Sequence, residues 1–166
     1  MKQKIAIITG ANGGMGSTLA RDVAKAGYTV VMACQNLQKA SPVYEQIKSE
    51  THGDLILKEL NLASFESIRN FANDILNNYQ HIDILLNNAG TLCHKPEQTV
   101  ENYEKTIGVN YLGHYVLSHL LLPLMGNGTR IVNMVSITVQ TGHLKPSMFQ
   151  PVDNKHFNRF VTYSDS

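Results

Sequence analysis

Thr9-Gly10-Ala11-Asn12-Gly13-Gly14-Met15-Gly16 is the stretch whose reading decides the fold. Before it runs Ile5-Ala6-Ile7-Ile8, an apolar run with the character of a buried strand. After it Met15, Leu19 and Val23 recur four apart, the spacing of one helix face. Strand, glycine-rich turn and helix in that order form a phosphate cradle. Glycines let the backbone turn sharply and approach a ligand closely, while the free N–H groups at the helix start face the anion. A positive φ alone would also account for glycine in such a turn. The flanking strand and helix supply the context that favours a dinucleotide site.

Working outward, strands and helices alternate. The strand over 4–9 leads to a helix ending near Gly27, where a left-handed C-terminal cap belongs. A second β-branched run covers 29–34. Ser41 then has the character of an N-cap, with Pro42 at the first helical position, in a helix that stops before Gly53. The third strand is expected over 55–60. Ser64 caps the next helix, whose apolar face runs Ile68, Phe71, Ile75 and Tyr79. A fourth strand covers 82–87, and a loop through Pro96 precedes a long helix, about 101–122, closed by Pro123. The Asn127-Gly128 turn leads into a fifth strand over 130–135. The stretch 141–159, with Pro146 and Pro151 and no periodicity, reads as a long loop, of a length that is usually functional or disordered. Short strands alternating with helices predict a doubly wound α/β fold of Rossmann type, its parallel sheet covered on both faces. Ligands then bind at the carboxyl ends of the strands, beside the first one.

Composition narrows the class of partner. The 166 residues make one domain's worth of chain, with a formal net charge of +1 and no lysine or arginine cluster, which argues against nucleic acid or an anionic membrane surface. Cys34 and Cys93 lack metal-type or paired spacing, as suits free thiols in a reducing compartment. His114 and His119, five apart, fit one helix face poorly and read as structural; no metal site is expected. The apolar run 117–125 contains His119 and Pro123 and is too short to span a bilayer. A soluble cytoplasmic protein is the expectation.

Four further motifs follow the glycine turn in order: Asn87-Asn88-Ala89-Gly90, Val109-Asn110-Tyr111-Leu112-Gly113-His114, Arg130-Ile131-Val132-Asn133-Met134-Val135-Ser136, and Tyr163-Ser164-Asp165-Ser166. With Thr9-Gly10-x-x-x-Gly14-x-Gly16 they resemble the short-chain dehydrogenase/reductase family. The wording around Cys34-Gln35-Asn36 and 109–123 is most similar to its retinol-dehydrogenase-like branch. The resemblance implies an NAD(P)-dependent oxidoreductase moving a hydride between nicotinamide and an alcohol or carbonyl substrate, with a homo-oligomer as the expected state. The family's tyrosine and lysine are spaced Tyr-x-x-x-Lys, and the lysine would follow Ser166 directly. The chain therefore resembles the N-terminal part of a longer enzyme and is expected to be inactive alone. The alternative is a non-catalytic remnant serving as a dinucleotide-binding module.

By that resemblance Tyr163 supplies or removes the hydroxyl proton; free tyrosine titrates near ~10, so nearby positive charge is needed to favour phenolate. Ser136 hydrogen-bonds the substrate oxygen, and Asn110, poorly suited to a helix interior, holds a water relay. Gly10, Asn12, Gly13, Gly14, Met15 and Gly16 form the pyrophosphate turn. Asn61 lies at adenine, Leu62 is a further cofactor-binding residue, and Asn88, Ala89 and Gly90 line the adenosine ribose. Asn87 and Asn88 could instead only tie strands together. Gln35, at the end of the second strand, stands where an acidic residue favours NAD and an arginine NADP. Being neutral, with Lys39 one helical turn on, it leaves that preference open.

Overall fold

The structure, a computed structural model, describes residues 3–143, 145–149 and 157–166. Five strands form one parallel sheet: β1 (Lys4–Thr9), β2 (Tyr28–Cys34), β3 (Leu55–Glu59), β4 (Ile84–Asn87) and β5 (Arg130–Asn133), in the order β3-β2-β1-β4-β5. The chain leaves β1 for β2 on one side and later returns to β4 on the other. The carboxyl end of β1 is therefore the point where strand order reverses, the place where open α/β sheets bind ligands.

Side chains alternate across the pleat and divide the core in two. Ile7, Val31 and Leu85 face one side, beneath α3 (Phe65–Asn78) and α5 (His114–Leu121), with Ile68, Phe71, Ile75, Leu117 and Leu121 packed on them. Ile8, Val30, Met32 and Leu86 face the other, beneath α1 (Gly14–Lys25) and α2 (Leu37–Thr51), against Ala20, Ala24 and Ile47. Both faces of the sheet are thus covered, as the alternating pattern predicts.

Several boundaries differ from expectation, each for a local reason. The cap of α2 is Asn36, whose Oδ1 accepts the Lys39 N–H at 2.9 Å; Ser41 and Pro42 lie inside the helix. Proline can sit there because the bond it forgoes would go to the carbonyl of Gln38, an exposed residue that water can reach. Gly27 adopts φ +84, the left-handed cap expected after α1, and Ser64 caps α3 through the Ser67 N–H. The helix expected over 101–122 begins later, at α4 (Lys105–Ile107), capped by the Glu104 carboxylate on the Ile107 N–H. It widens into a π-turn over Gly108–Gly113, resumes as α5 and tightens into a 3₁₀ turn at Leu122–Leu124. The third, fourth and fifth strands are shorter than expected. Of the stretch read as loop, Pro146–Phe149 forms a 3₁₀ turn, α6 (Arg159–Ser164) starts at its end, and 144 and 150–156 lie outside the described residues.

The strand β5 lies at the edge of the sheet, and its side chains and those just beyond are exposed, Ile131, Val132, Met134 and Val135 among them.

Candidate active site

The glycine turn joins β1 to α1 at the switch point. Gly10 has φ +62, and a Cβ there would lie 2.9 Å from the Ala89 Cα, so both its conformation and its neighbour require glycine. Its N–H donates to the Ala33 carbonyl at 2.8 Å, tying the turn to β2. Beneath the turn lies the Cys34 thiol; burial pushes its pKa up, against hydrogen bonds from the backbone of Asn12 and Ala11. Gly16 is buried, and a Cβ there would overlap the Gly10 carbonyl oxygen and approach Asn88 Nδ2 to 2.8 Å. Gly14 is the opposite: no atom lies within 4 Å of a Cβ built on it. The turn is thus pinned at Gly10 and Gly16 and open at Gly14.

That opening is at the start of α1. Gly13 is its N-cap and offers no side-chain cap, and no acidic residue occupies the first turn. A helix leaves its first N–H groups without intrahelical partners, and a negative group placed there is stabilised by them and by the helix dipole. The open face at Gly14 and these uncapped amides fit a pyrophosphate.

Thr9, at the carboxyl end of β1, joins the turn to β4. Its buried hydroxyl accepts the N–H groups of Asn88 and Ala89, each at 2.9 Å, and lies 2.9 Å from His114 Nε2. The side chain of Asn88 donates to the carbonyls of Thr9 (2.9 Å) and Gly10 (3.3 Å). Asn87 donates through Nδ2 to Asn133 Oδ1 (2.8 Å) and Ser118 Oγ (3.0 Å), tying β4 to β5 and α5. The strand-tying role weighed for both asparagines is what their side chains do; the backbone of Asn88, Ala89 and Gly90 borders the cleft described next.

A cleft of about 1000 Å³ opens at the carboxyl ends of the strands. Its walls include Met15, Asn88, Ala89, Gly90, Asn110, Ser136 and Tyr163, so the three residues expected to do chemistry and part of the cofactor set share one cavity. Asn110 lies in the π-turn, which answers why asparagine sits in a helix: Oδ1 accepts the Thr91 N–H at 2.8 Å and Nδ2 donates to the Thr91 carbonyl at 3.0 Å. Nδ2 also lies 3.0 Å from Ser166 Oγ. Ser136 caps a 3₁₀ turn over Ile137–Thr141, accepting the Thr138 N–H at 3.3 Å. Tyr163 comes from α6, whose cap is Asn158.

Gln35 and Asn61 stand apart from this cleft, at the ends of β2 and β3. Gln35 Nε2 donates to Asn61 Oδ1 at 3.3 Å, and the same oxygen accepts the Ala63 N–H at 3.0 Å. Leu62, beside them, is buried.

Sequence reasoning passed over Thr9, Thr91 and His114. The last was set aside for its spacing from His119, yet its ring packs on Asn110, four residues back: Nδ1 lies 3.1 Å from the Asn110 carbonyl oxygen. That i−4 relation was the available signal. His114 is buried, and burial holds its pKa below the usual histidine value against the pull of the Asn110 carbonyl.

Residues 4–149 match the short chain dehydrogenase family, and the chain belongs to it. Among its relatives, retinol dehydrogenase 11 of Mus musculus is 38% identical over 144 residues, covering 85% of this chain and 46% of that protein. Retinol dehydrogenase 14 of Mus musculus is 33% identical, covering 100% of this chain and 53% of that protein. The chain thus spans about half the length of these relatives. Similar solved structures include an uncharacterised protein from Mycobacterium paratuberculosis (31% identity, TM-score 0.84, 98% of this chain and 56% of that one). Another is a short chain dehydrogenase from Escherichia coli CFT073 in complex with NADPH (26% identity, TM-score 0.77, 99% and 65%). Among the described residues no helix is long and apolar enough to cross a membrane.

Proposed function

We propose that the chain is the dinucleotide-binding part of an NAD(P)-dependent oxidoreductase acting on an alcohol or carbonyl substrate. One observation carries the reading: the turn before α1 is closed by backbone at Gly10 and Gly16 and open at Gly14, above uncapped helix amides and beside a cleft shared by Asn110, Ser136 and Tyr163. The cofactor, when bound, supplies or accepts the hydride.

The chain's own residues do the rest. The backbone from Gly10 to Gly16 holds the pyrophosphate, Gln35 and Asn61 with Leu62 border the adenosine end, and the backbone of Asn88, Ala89 and Gly90 lines the path between. Ser136 donates to the substrate oxygen as charge develops there. Tyr163 gives or takes the hydroxyl proton. Asn110, fixed to Thr91, holds the relay that exchanges that proton with solvent. The relatives named retinol dehydrogenases make retinol the first alcohol to assay. Residues 1–166 act here as a single NAD(P)-binding domain. Two buried free thiols suit a cytoplasmic setting, and the exposed edge of β5 suits self-association into a homo-oligomer.

The test is titration of the purified chain with NADH and NADPH, followed by nucleotide fluorescence, for the parent and for Gly14→Val. Saturable binding by the parent and strongly weakened binding by a folded Gly14→Val support the reading. Equal binding by both would remove the cradle.

A further inference from the structure

Among the described residues, His114 is the one buried ionisable side chain on the cleft wall to which the proposed chemistry assigns no task. Its ring bridges its own turn and Thr9, a residue 105 positions away in sequence. On one side Nδ1 meets the carbonyl of Asn110 at 3.1 Å, and on the other Nε2 meets the hydroxyl of Thr9 at 2.9 Å.

Donor and acceptor counting leaves one form of the ring. A carbonyl oxygen only accepts, so Nδ1 carries the hydrogen. The Thr9 oxygen has two acceptor positions, both taken by the N–H groups of Asn88 and Ala89, and one hydrogen to give. Nε2 must therefore be the bare nitrogen that receives it. The Leu86 carbonyl, 3.4 Å from the same hydroxyl, is the weaker acceptor. The other neutral form would aim Nε2–H at a saturated oxygen and a bare Nδ1 at a carbonyl, and the imidazolium would create the first of these conflicts.

We propose that His114 is a positioning residue, held as the neutral Nδ1–H imidazole, that locks the turn carrying Asn110 to the junction of Thr9, Asn88 and Ala89. The relay end and the cofactor end of the cleft then keep one geometry. Burial of the ring at 6% exposure works in the same direction, since it disfavours the charged form. The binding arm of the test rests on the dinucleotide reading; the ring arm does not.

Two substitutions separate the halves of the ring. In His114→Gln the amide oxygen reaches the former Nε2 position and can accept from Thr9. In His114→Asn the amide nitrogen occupies the Nδ1 position and keeps the Asn110 contact, but nothing reaches Thr9. The expected ring result, read by ¹⁵N NMR of histidine-labelled chain, is a pyrrole-type Nδ1 and a pyridine-type Nε2, assigned by their loss in His114→Gln. The expected binding result is NADPH affinity within about threefold of the parent for His114→Gln and weakened about tenfold or more for His114→Asn, the equivalent of one net hydrogen bond. Thr9→Val should weaken it too, and adding His114→Asn to Thr9→Val should change nothing further, as coupled partners behave. An Nε2–H or doubly protonated ring overturns the proposal, as does parent-like NADPH affinity in folded His114→Asn. A parent chain that binds neither dinucleotide refutes the proposed function, and the ring tautomer still decides the role of His114.

Discussion

Gly16→Ala sets one added methyl against a fixed backbone. Its Cβ would overlap the Gly10 carbonyl oxygen and lie 2.8 Å from Asn88 Nδ2 and 3.0 Å from the Ala11 Cα. Two of these are backbone atoms, and the third, the end of the Asn88 side chain, is held by its bonds to the Thr9 and Gly10 carbonyls. Relief requires α1 and the Gly10 carbonyl to separate, which stretches the Asn88 bonds to the Thr9 and Gly10 carbonyls. Overpacking of this kind costs about 1–3 kcal/mol, and two hydrogen bonds add about 1 kcal/mol each. The expected destabilisation is thus about 3–5 kcal/mol, a fall in Tm on the order of 10 °C for a domain of this size. Gly14→Val, two residues earlier, places its Cβ more than 4 Å from any atom outside the local helix and should leave Tm within about 2 °C of the parent, while removing contacts to a charged group and lowering dinucleotide affinity roughly 100-fold. Thermal melts by circular dichroism and nucleotide titrations on both variants measure the contrast. A Gly16→Ala chain that melts with the parent would refute the close approach, and a folded Gly14→Val chain of parental affinity would refute the open face.

Gln35→Arg should move the ratio of dissociation constants about tenfold towards NADPH, since a guanidinium pairs a phosphate bidentately, and Gln35→Asp should move it towards NADH; a ratio unmoved by either change places Gln35 away from the ribose. The lowered pKa of His114 gives stability a pH dependence of known sign. Above about 6.5 neither state of the chain binds the proton, and as pH falls through that value the unfolded chain binds it while the native ring resists, so stability declines on the acid side. Urea midpoints across that range should show the decline, and His114→Gln should flatten it. Val132→Lys, on the exposed edge of β5, should raise the monomer fraction in light scattering, because a charge on an edge strand opposes pairing with another copy; an unchanged mass would show that association, if present, uses another surface.

Much of the sheet was legible because its signals are local. The run from Ile5 to Ile8 announces a strand buried on both faces, Gly10 through Gly16 announces the turn, and Gly27 and Ser64 punctuate helices by their own conformational preferences. Pro42 makes Ser41 read as the cap of α2, where Asn36 holds that place; the exposed Gln38 carbonyl, which makes an interior proline tolerable, is a fact of tertiary placement. The π-turn was hidden because one extra residue per turn leaves the apolar pattern of 105–121 looking like an ordinary helix. Asn110, Ser136 and Tyr163 were nameable from their motifs, and the fold brings them to one cleft. The Thr9–His114 pairing was not legible, because 105 residues separate the two and no pattern joins them; only the i−4 step from His114 to Asn110 is local.

The π-turn at Gly108–Gly113 also makes this helix a phase shifter. Each residue of an α-helix advances about 100° around its axis, so the extra residue accommodated there rotates α5 relative to α4 while the two remain one rod. Leu117 and Leu121 sit in the core with that offset in place. A one-residue deletion between Gly108 and Gly113 would restore a regular helix and improve its backbone, yet turn Leu117 and Leu121 off the sheet or carry Asn110 away from Thr91. This segment is therefore intolerant of changes in length, and the constraint comes from angle rather than from chemistry.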